Sequence, residues 1–142
     1  MNTLAHNHVQ LVWRGAVEND ELNDLHAEAF GDARLDQDWA SRLTTLSLGW
    51  VTARDDSELV GFVNVAWDGM AHAIVLDLAV APQARHSGVA TALIKVARDQ
   101  AGVAGCEWLH VDFEERLSDL YFGACGFRPT SAGLIALQPA KG

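Results

Sequence analysis

One strand–turn–helix segment constrains the fold of this chain more than any other part of it. An apolar run at residues 73–80 stops before Pro82, and after a short turn an amphipathic helix begins at Gly88. A further apolar run, residues 107–113, follows that helix. A strand, a crossover helix and a second strand in this order predict two parallel neighbours in one sheet.

The rest of the chain predicts an α+β domain around that unit. Alternating or continuous apolar runs predict strands, and apolar residues at helical spacing predict helices. Strands are expected at residues 10–13, 49–54, 59–67, 72–80, 107–113 and 132–137, with room for a short one at 127–128; helices are expected at 19–30, 39–46, 88–102 and 117–124. We therefore expect a mixed, mostly antiparallel, twisted sheet of six to seven strands, with about four helices on both of its faces and with parallel fourth and fifth strands.

Length and composition narrow the class of protein. At 142 residues with 49% hydrophobic content we expect a single domain over residues 1–142. The net charge of −9 disfavours nucleic-acid binding and suits a site that attracts cations. The first eight residues lack the pattern of a signal peptide, and no apolar run is long enough to span a bilayer. His6 and His8 are the only paired metal-ligand candidates, on a terminus expected to fray, and we predict no metal.

The turn before the helix at Gly88 has the properties of an anion site. Glycine lets a backbone approach an anion closely, and the first amides of a helix are unsatisfied donors at the positive end of its dipole. Arg85 adds a permanent charge, and Ser87 or Thr91 can donate a hydroxyl. A pyrophosphate fits this set. The alternative is an ordinary helix start at which Ser87 is the N-cap.

Two segments together resemble a known family. Arg85-His86-Ser87-Gly88-Val89-Ala90, led by Val80-Ala81-Pro82, resembles the Gln/Arg-x-x-Gly-x-Gly/Ala signature of the GNAT superfamily of acyl-CoA-dependent N-acyltransferases. One helix and one strand later, the stretch from Tyr121 to Gly126-Phe127 is similar to that family's Tyr-x-x-x-x-Gly-Phe segment. Gly61-Phe62-Val63 looks like its third-strand opening, and the order of elements matches along the whole chain.

The resemblance implies a donor site and a proton donor. The donor would be acetyl-CoA, with its pyrophosphate on the turn and its pantetheine arm along the fourth strand, where the resemblance implies that this strand splays from the parallel fifth. Leu78, Ala79 and Val80 would hold the arm and offer an N–H to the thioester carbonyl. Tyr121 would protonate the departing thiolate; its structural alternative is a core tyrosine. The implied donor-binding residues of the turn and helix start are Arg85, His86, Ser87, Gly88, Val89, Ala90 and Thr91.

The residue that removes the acceptor's proton stays open on sequence alone. Asp77 interrupts an apolar strand beside the expected thioester and is our candidate, with His72 and water as alternatives; Asp77 could instead orient backbone or bind the substrate amine. An acceptor pocket could also draw on acidic and aromatic residues elsewhere, although caps, solvated loop positions and core are the simpler roles for them. That set is Asp32, Asp36, Asp38, Trp39 and Trp67-Asp68.

The resemblance implies an N-acetyltransferase that acts on a primary amine, and we expect it to be cytoplasmic. The acceptor would be a small molecule or a protein amine, and a homodimer is the default assembly. Cys106 and Cys125 are expected to be buried free thiols without a covalent role, since the amine attacks directly. A non-catalytic acyl-CoA-binding module is the main rival. A Rossmann-type nucleotide binder is disfavoured, because the first strand is not followed by Gly-x-Gly-x-x-Gly.

Overall fold

A computed structural model describes residues 8–138 of the chain. His6, one of the two paired metal-ligand candidates, lies outside the described residues. The elements are β1 (Val9–Trp13), α1 (Asn19–Phe30), α2 (Trp39–Leu46), β2 (Ser47–Asp55), β3 (Glu58–Trp67), β4 (His72–Val80), α3 (Val89–Val103), β5 (Trp108–His110) and a π-helix (Asp119–Ala124), with 3₁₀ turns at Pro82–Ala84 and Glu115–Leu117.

The strands form one five-stranded sheet in chain order, β1-β2-β3-β4-β5. The first four strands pair antiparallel, and β4 pairs parallel with β5 through His72↔Trp108, Ala73↔Leu109 and Ile74↔His110. The α+β class, the mostly antiparallel sheet and the parallel β4–β5 neighbours are thus confirmed. The crossover through α3 places the helix start at the end of β4, which is what positions the site described below.

Helices pack on both faces of the sheet. Successive side chains of β3 point to opposite faces, so neighbouring residues of this strand contact different helices. Phe62 meets the buried Trp39 of α2 edge-on, with ring centroids 5.9 Å apart. On the other face, a Cβ at Gly61 would lie 3.0 Å from Val89 and 3.1 Å from Leu93 of α3, so this position needs the small residue to let the helix approach. Both faces contribute to one core.

The predicted strand count is wrong for the described part of the chain, since residues 8–138 form five strands rather than six or seven. Residues 127–128 and 132–137 form no strand, and Leu134, Ile135 and Leu137 are each at least 80% exposed. The cause lies in β5, which extends over three residues instead of the expected seven. A strand that short offers a further strand little backbone to pair with. The helix expected at 117–124 is replaced by a 3₁₀ turn and the π-helix.

Candidate active site

The described part of the chain encloses a cavity of about 980 Å³ at the end of the β4–β5 pair. The two strands are paired only as far as Ile74 and His110, whereas β4 continues to Val80. One wall is therefore the free side of β4, and the facing wall is the chain after β5, at residues 112–117. The volume lies within the range of small-molecule sites.

Most of the residues selected from the sequence line this cavity. They are Asp77, Leu78, Val80, Arg85, His86, Gly88, Val89, Ala90, Thr91 and Tyr121. Ala79 and Ser87 are not part of the lining. Ala79 is 2% exposed and pairs with Phe62, so its side chain belongs to the core while its backbone stays in the strand.

The start of α3 presents unpaired backbone donors to the cavity. Gly88 is the N-cap, with φ of 87°, and no side chain caps the helix. The first hydrogen bond of the helix is donated by the amide of Ala92 to the carbonyl oxygen of Gly88, which lies 3.0 Å from the Ala92 nitrogen. The amides of Val89, Ala90 and Thr91 therefore have no acceptor inside the helix, which makes this end suitable for an anion.

Ser87 is not the N-cap that the simpler interpretation of the sequence expected. Its hydroxyl donates to the carbonyl of Ala84 in the preceding 3₁₀ turn. A left-handed glycine at position 88 replaces a serine cap, so the helix amides are left open instead of being closed by a hydroxyl. The turn is tightly wound, since His86 also has a positive φ of 61°.

Arg85 lies on the cavity wall and reaches across to α1. Its Nη2 donates to the carbonyl of Ala29, 2.6 Å away, at the last turn of that helix. A cation at this place is stabilised by the negative end of the α1 dipole. The cavity thus has a basic end built from Arg85 and the α3 amides.

Tyr121 lies elsewhere on the cavity wall and is 4% exposed. Its ring stacks on Phe113 with centroids 4.5 Å apart and meets Phe127 edge-on at 5.8 Å. No described residue forms a hydrogen bond with its hydroxyl. Burial, together with nearby Cys125 and Asp112, raises the pKa of Tyr121 to about 12. The phenol is therefore protonated at any physiological pH and can serve as an acid but not as a base.

Asp77 occupies a bulge in β4. Two residues, Asp77 and Leu78, lie opposite the single Val63 of β3, and Asp77 has a left-handed φ of 57°. Its Oδ2 accepts a hydrogen bond from the Asn64 amide at 3.3 Å and lies 3.6 Å from Nη2 of Arg42. Sequence reasoning missed Arg42 and Asn64, because their approach depends on the bulge and the β3–β4 register.

The other candidates lie outside the cavity lining. His72 is exposed, with Nδ1 2.7 Å from Nε2 of His110 on the neighbouring strand. Asp38 caps α2 by accepting from the Ser41 amide, and Asp68 caps a turn by accepting from three amides of residues 70–72. Asp36 pairs with Arg34, and Trp39 is 2% exposed. The structure therefore uses these residues as caps, as an ion-pair partner and as core.

The two cysteines are half-buried free thiols. Burial raises the pKa of both Cys106 and Cys125, so at neutral pH each is a thiol rather than the nucleophilic thiolate. Among residues 8–138, no group of three or more His, Cys, Asp or Glu is arranged to hold a metal ion. Within the same range, no helix has the length and apolar character needed to cross a membrane.

Sequence reasoning also missed the wall after β5. Asp112, Phe113, Glu114, Arg116 and Leu117 all line the cavity. The apolar run at 107–113 had assigned the first two to a strand. The only signal that could have separated them was the run of charged residues from 114 to 116, which marks the end of regular pairing.

Comparisons with known proteins agree with this architecture. The profile described as "Acetyltransferase (GNAT) family" matches residues 16–127. No curated protein matches the sequence. Many solved structures are similar in fold.

Three of these structures illustrate the range of neighbours. A GNAT-family acetyltransferase from Streptococcus pneumoniae superposes with a TM-score of 0.74 and 20% identity, over 93% of this chain and 99% of that one. The aminoglycoside N-acetyltransferase AAC(6')-Iy in complex with CoA gives 0.74 and 18%, over 94% and 96%. A ribosomal-protein-alanine N-acetyltransferase from Brucella melitensis gives 0.68 and 23%, over 92% and 99%.

At these identities the superpositions show a shared fold, and the profile match, which covers most of the chain, shows the family. The matched residues include the anion cradle, which consists of Arg85 and the free amides of residues 89–91 at the start of α3. They also include the parallel β4–β5 pair and Tyr121. The chain belongs to the GNAT family of acetyltransferases.

Proposed function

We propose that this protein transfers the acetyl group of acetyl-CoA to a primary amine by direct attack, through a tetrahedral intermediate. The observation that carries the proposal is the cavity. It combines an uncapped helix start and Arg85 with the free backbone of β4 and a buried, protonated Tyr121. The acceptor is a small amine or an amine of a protein.

The donor is held by the basic end of the cavity. The amides of Val89, Ala90 and Thr91 and the guanidinium of Arg85 bind the pyrophosphate, since backbone donors and a cation converge there. The unpaired side of β4 at residues 78–80 holds the pantetheine arm. An N–H from this segment polarises the thioester carbonyl and stabilises the oxyanion that forms when the amine attacks.

The chemistry then needs two proton movements. The acceptor ammonium loses a proton before its nitrogen attacks, and Asp77 or a water molecule takes that proton. When the tetrahedral intermediate collapses, the carbon–sulfur bond breaks and Tyr121 protonates the departing thiolate, which yields the amide and free CoA. The phenol has a proton to give because its pKa lies well above neutral pH.

A non-catalytic acyl-CoA-binding module is the second candidate, since it would retain the same cradle. Titration calorimetry with CoA measures donor binding, and release of thiol from acetyl-CoA in the presence of an amine panel measures transfer. We expect both. Binding without thiol release for any amine would favour the binding module, and absence of both would refute the proposed donor.

The cradle is tested by a matched pair of arginine substitutions. Arg85→Ala is expected to weaken CoA binding about tenfold, the order expected from losing a charge-assisted hydrogen bond. Arg98→Ala is the control, because Arg98 pairs with Asp99 on α3 and is not part of the cavity lining. Equal effects of the two substitutions would remove Arg85 from the donor site.

A further inference from the structure

Asp77 lines the cavity directly before the residues proposed to hold the thioester, and its carboxylate faces Arg42, which is not itself part of the cavity lining. The bulge is what brings it there, since the left-handed φ at Asp77 interrupts the alternation of the strand. Its side chain is 21% exposed. A charge this far removed from solvent needs a partner of opposite sign or strong hydrogen bonds.

The carboxylate has a neutral hydrogen-bond partner besides the cation. Asn64, which is 4% exposed, donates its amide to Oδ2 of Asp77 at 3.3 Å. Asn64 in turn accepts a hydrogen bond at its Oδ1 from the hydroxyl of Ser47, 2.5 Å away. A buried amide is thus a second partner of the carboxylate, and it does not have to move when the cation is exchanged.

The cation that now faces Asp77 is held there loosely. Nη2 of Arg42 lies 3.6 Å from Oδ2, the longest of the ion pairs found among residues 8–138. The Arg42 side chain is 39% exposed, and its guanidinium lies over the Trp39 ring at 4.4 Å. Stacking on the indole, together with the methylene stem, can keep Arg42 near the site without the carboxylate.

We propose that Arg42 competes with the acceptor for Asp77. In the free protein the guanidinium of Arg42 pairs with the carboxylate of Asp77, and the ammonium group of the acceptor binds to the same carboxylate by displacing the guanidinium. The inference rests on the proposed amine acetylation. The exchange swaps one cation for another on Asp77, so the partly buried carboxylate is never left without a cation. The site therefore selects acceptors that carry a positive charge, and Arg42 sets how strongly they must compete.

Competition between Arg42 and the acceptor predicts that removing the Arg42 charge increases the affinity for the acceptor, whereas most substitutions at a binding site decrease it. Arg42→Met keeps an apolar stem over Trp39 and removes the charge, so it should tighten binding of a cationic acceptor. The gain should be about two- to fivefold, the range given by partly exposed ion pairs. A merely structural arginine would give the opposite sign or no change.

The test measures binding without turnover. Protein saturated with CoA, which carries no acetyl group, is titrated calorimetrically with 1,4-diaminobutane, and with 1,4-butanediol as the neutral analogue of equal length. We expect the diamine to bind, the diol not to bind, and Arg42→Met to tighten the diamine. Arg98→Met is the control and should leave the diamine Kd unchanged.

The dependence on Asp77 is tested by a double-mutant cycle. Asp77→Asn removes the charge with a residue that tolerates a left-handed backbone, and in that background Arg42→Met should no longer tighten binding. The proposal is overturned if Arg42→Met weakens the diamine or leaves it unchanged. The proposal is equally overturned if Arg42→Met still tightens diamine binding in the Asp77→Asn background. It is also overturned if neither the unsubstituted protein nor Arg42→Met binds the diamine.

These outcomes separate from the fate of the proposed function. Diamine binding with the expected pattern, but without thiol release from acetyl-CoA for any amine, would leave the exchange at Asp77 intact and refute acetylation. Thiol release combined with weaker diamine binding by Arg42→Met would support acetylation and refute the exchange.

Discussion

The hydroxyl of Tyr121 forms no hydrogen bond with the described residues, and Tyr121 lines the cavity, which makes Tyr121→Phe an informative substitution. The substitution removes no hydrogen bond within the described residues and keeps the ring that stacks on Phe113. Removing the oxygen leaves no packing void beyond the existing cavity. We therefore expect the free energy of unfolding to change by less than about 1 kcal/mol, measured by urea denaturation.

The same substitution should strongly reduce turnover. A positioned general acid contributes about 10²- to 10⁴-fold, so kcat for thiol release should fall by at least about 100-fold. CoA affinity should barely change, since Tyr121 is not part of the basic end of the cavity. Unchanged stability with much lower turnover is the result expected for a residue that serves the reaction and not the packing.

The chain has a single tyrosine, so its ionisation can be observed directly. Phenolate absorbance near 295 nm should appear with a midpoint at about pH 12 and not near 10. Three results would refute the reasoning: a native midpoint near pH 10, a loss of stability above about 1 kcal/mol in Tyr121→Phe, or a fall in kcat of less than about tenfold.

Two further predictions concern the scaffold. A Cβ at Gly15 would lie 2.1 Å from the hydroxyl oxygen of the buried Thr52, so Gly15→Ala should lower the free energy of unfolding in urea by about 1–3 kcal/mol. Gly102 on α3 has open space around it, and Gly102→Ala should therefore be neutral or stabilising. Equal effects of the two substitutions on the free energy of unfolding would contradict this prediction. Arg54 lowers the pKa of Glu21 from 4.5, so the stability from this ion pair is present at neutral pH and is lost as the pH falls through the lowered value. Glu21→Gln should be less stable at pH 7 and should flatten the stability profile below pH 4.5, which a thermal-unfolding series in pH would measure; an unchanged slope would count against the pair.

The parts of the fold that depend on periodicity could be predicted from the sequence. The helix at 19–30 and the strand at 72–80 have the predicted bounds, because an amphipathic stripe and an apolar run specify their own buried faces. The strand at 132–137 failed for the complementary reason. Its apolar residues satisfy the pattern, but a strand also needs an edge to pair with, and β5 ends at His110.

The candidate site was predictable where it consists of backbone and motif. Gly88 and Tyr121 both line the cavity, because the order of turn, helix and strand along the chain determines where each of them lies. The partners of Asp77 were not predictable. Arg42 comes from a helix 35 positions earlier, and its approach requires a bulge whose place is set by pairing with β3.

That bulge has a consequence for how this chain can change by insertion and deletion. Before it, Val75 of β4 pairs with Val65, on the face that packs against α3; after it, Val80 pairs with Gly61 on that same face, although odd and even positions have exchanged sides. Deleting Asp77 would restore an even ladder, and every later residue of the strand would keep its partner and its face, with Val80 still opposite Gly61. The turn that leads into α3 would therefore leave the sheet in its present direction, and the cradle should survive such a deletion while the carboxylate is lost. The bulge thus adds a charged residue beside the cavity without changing the course of the strand, so a one-residue insertion or deletion at this place alters the acceptor side of the site and spares the donor side.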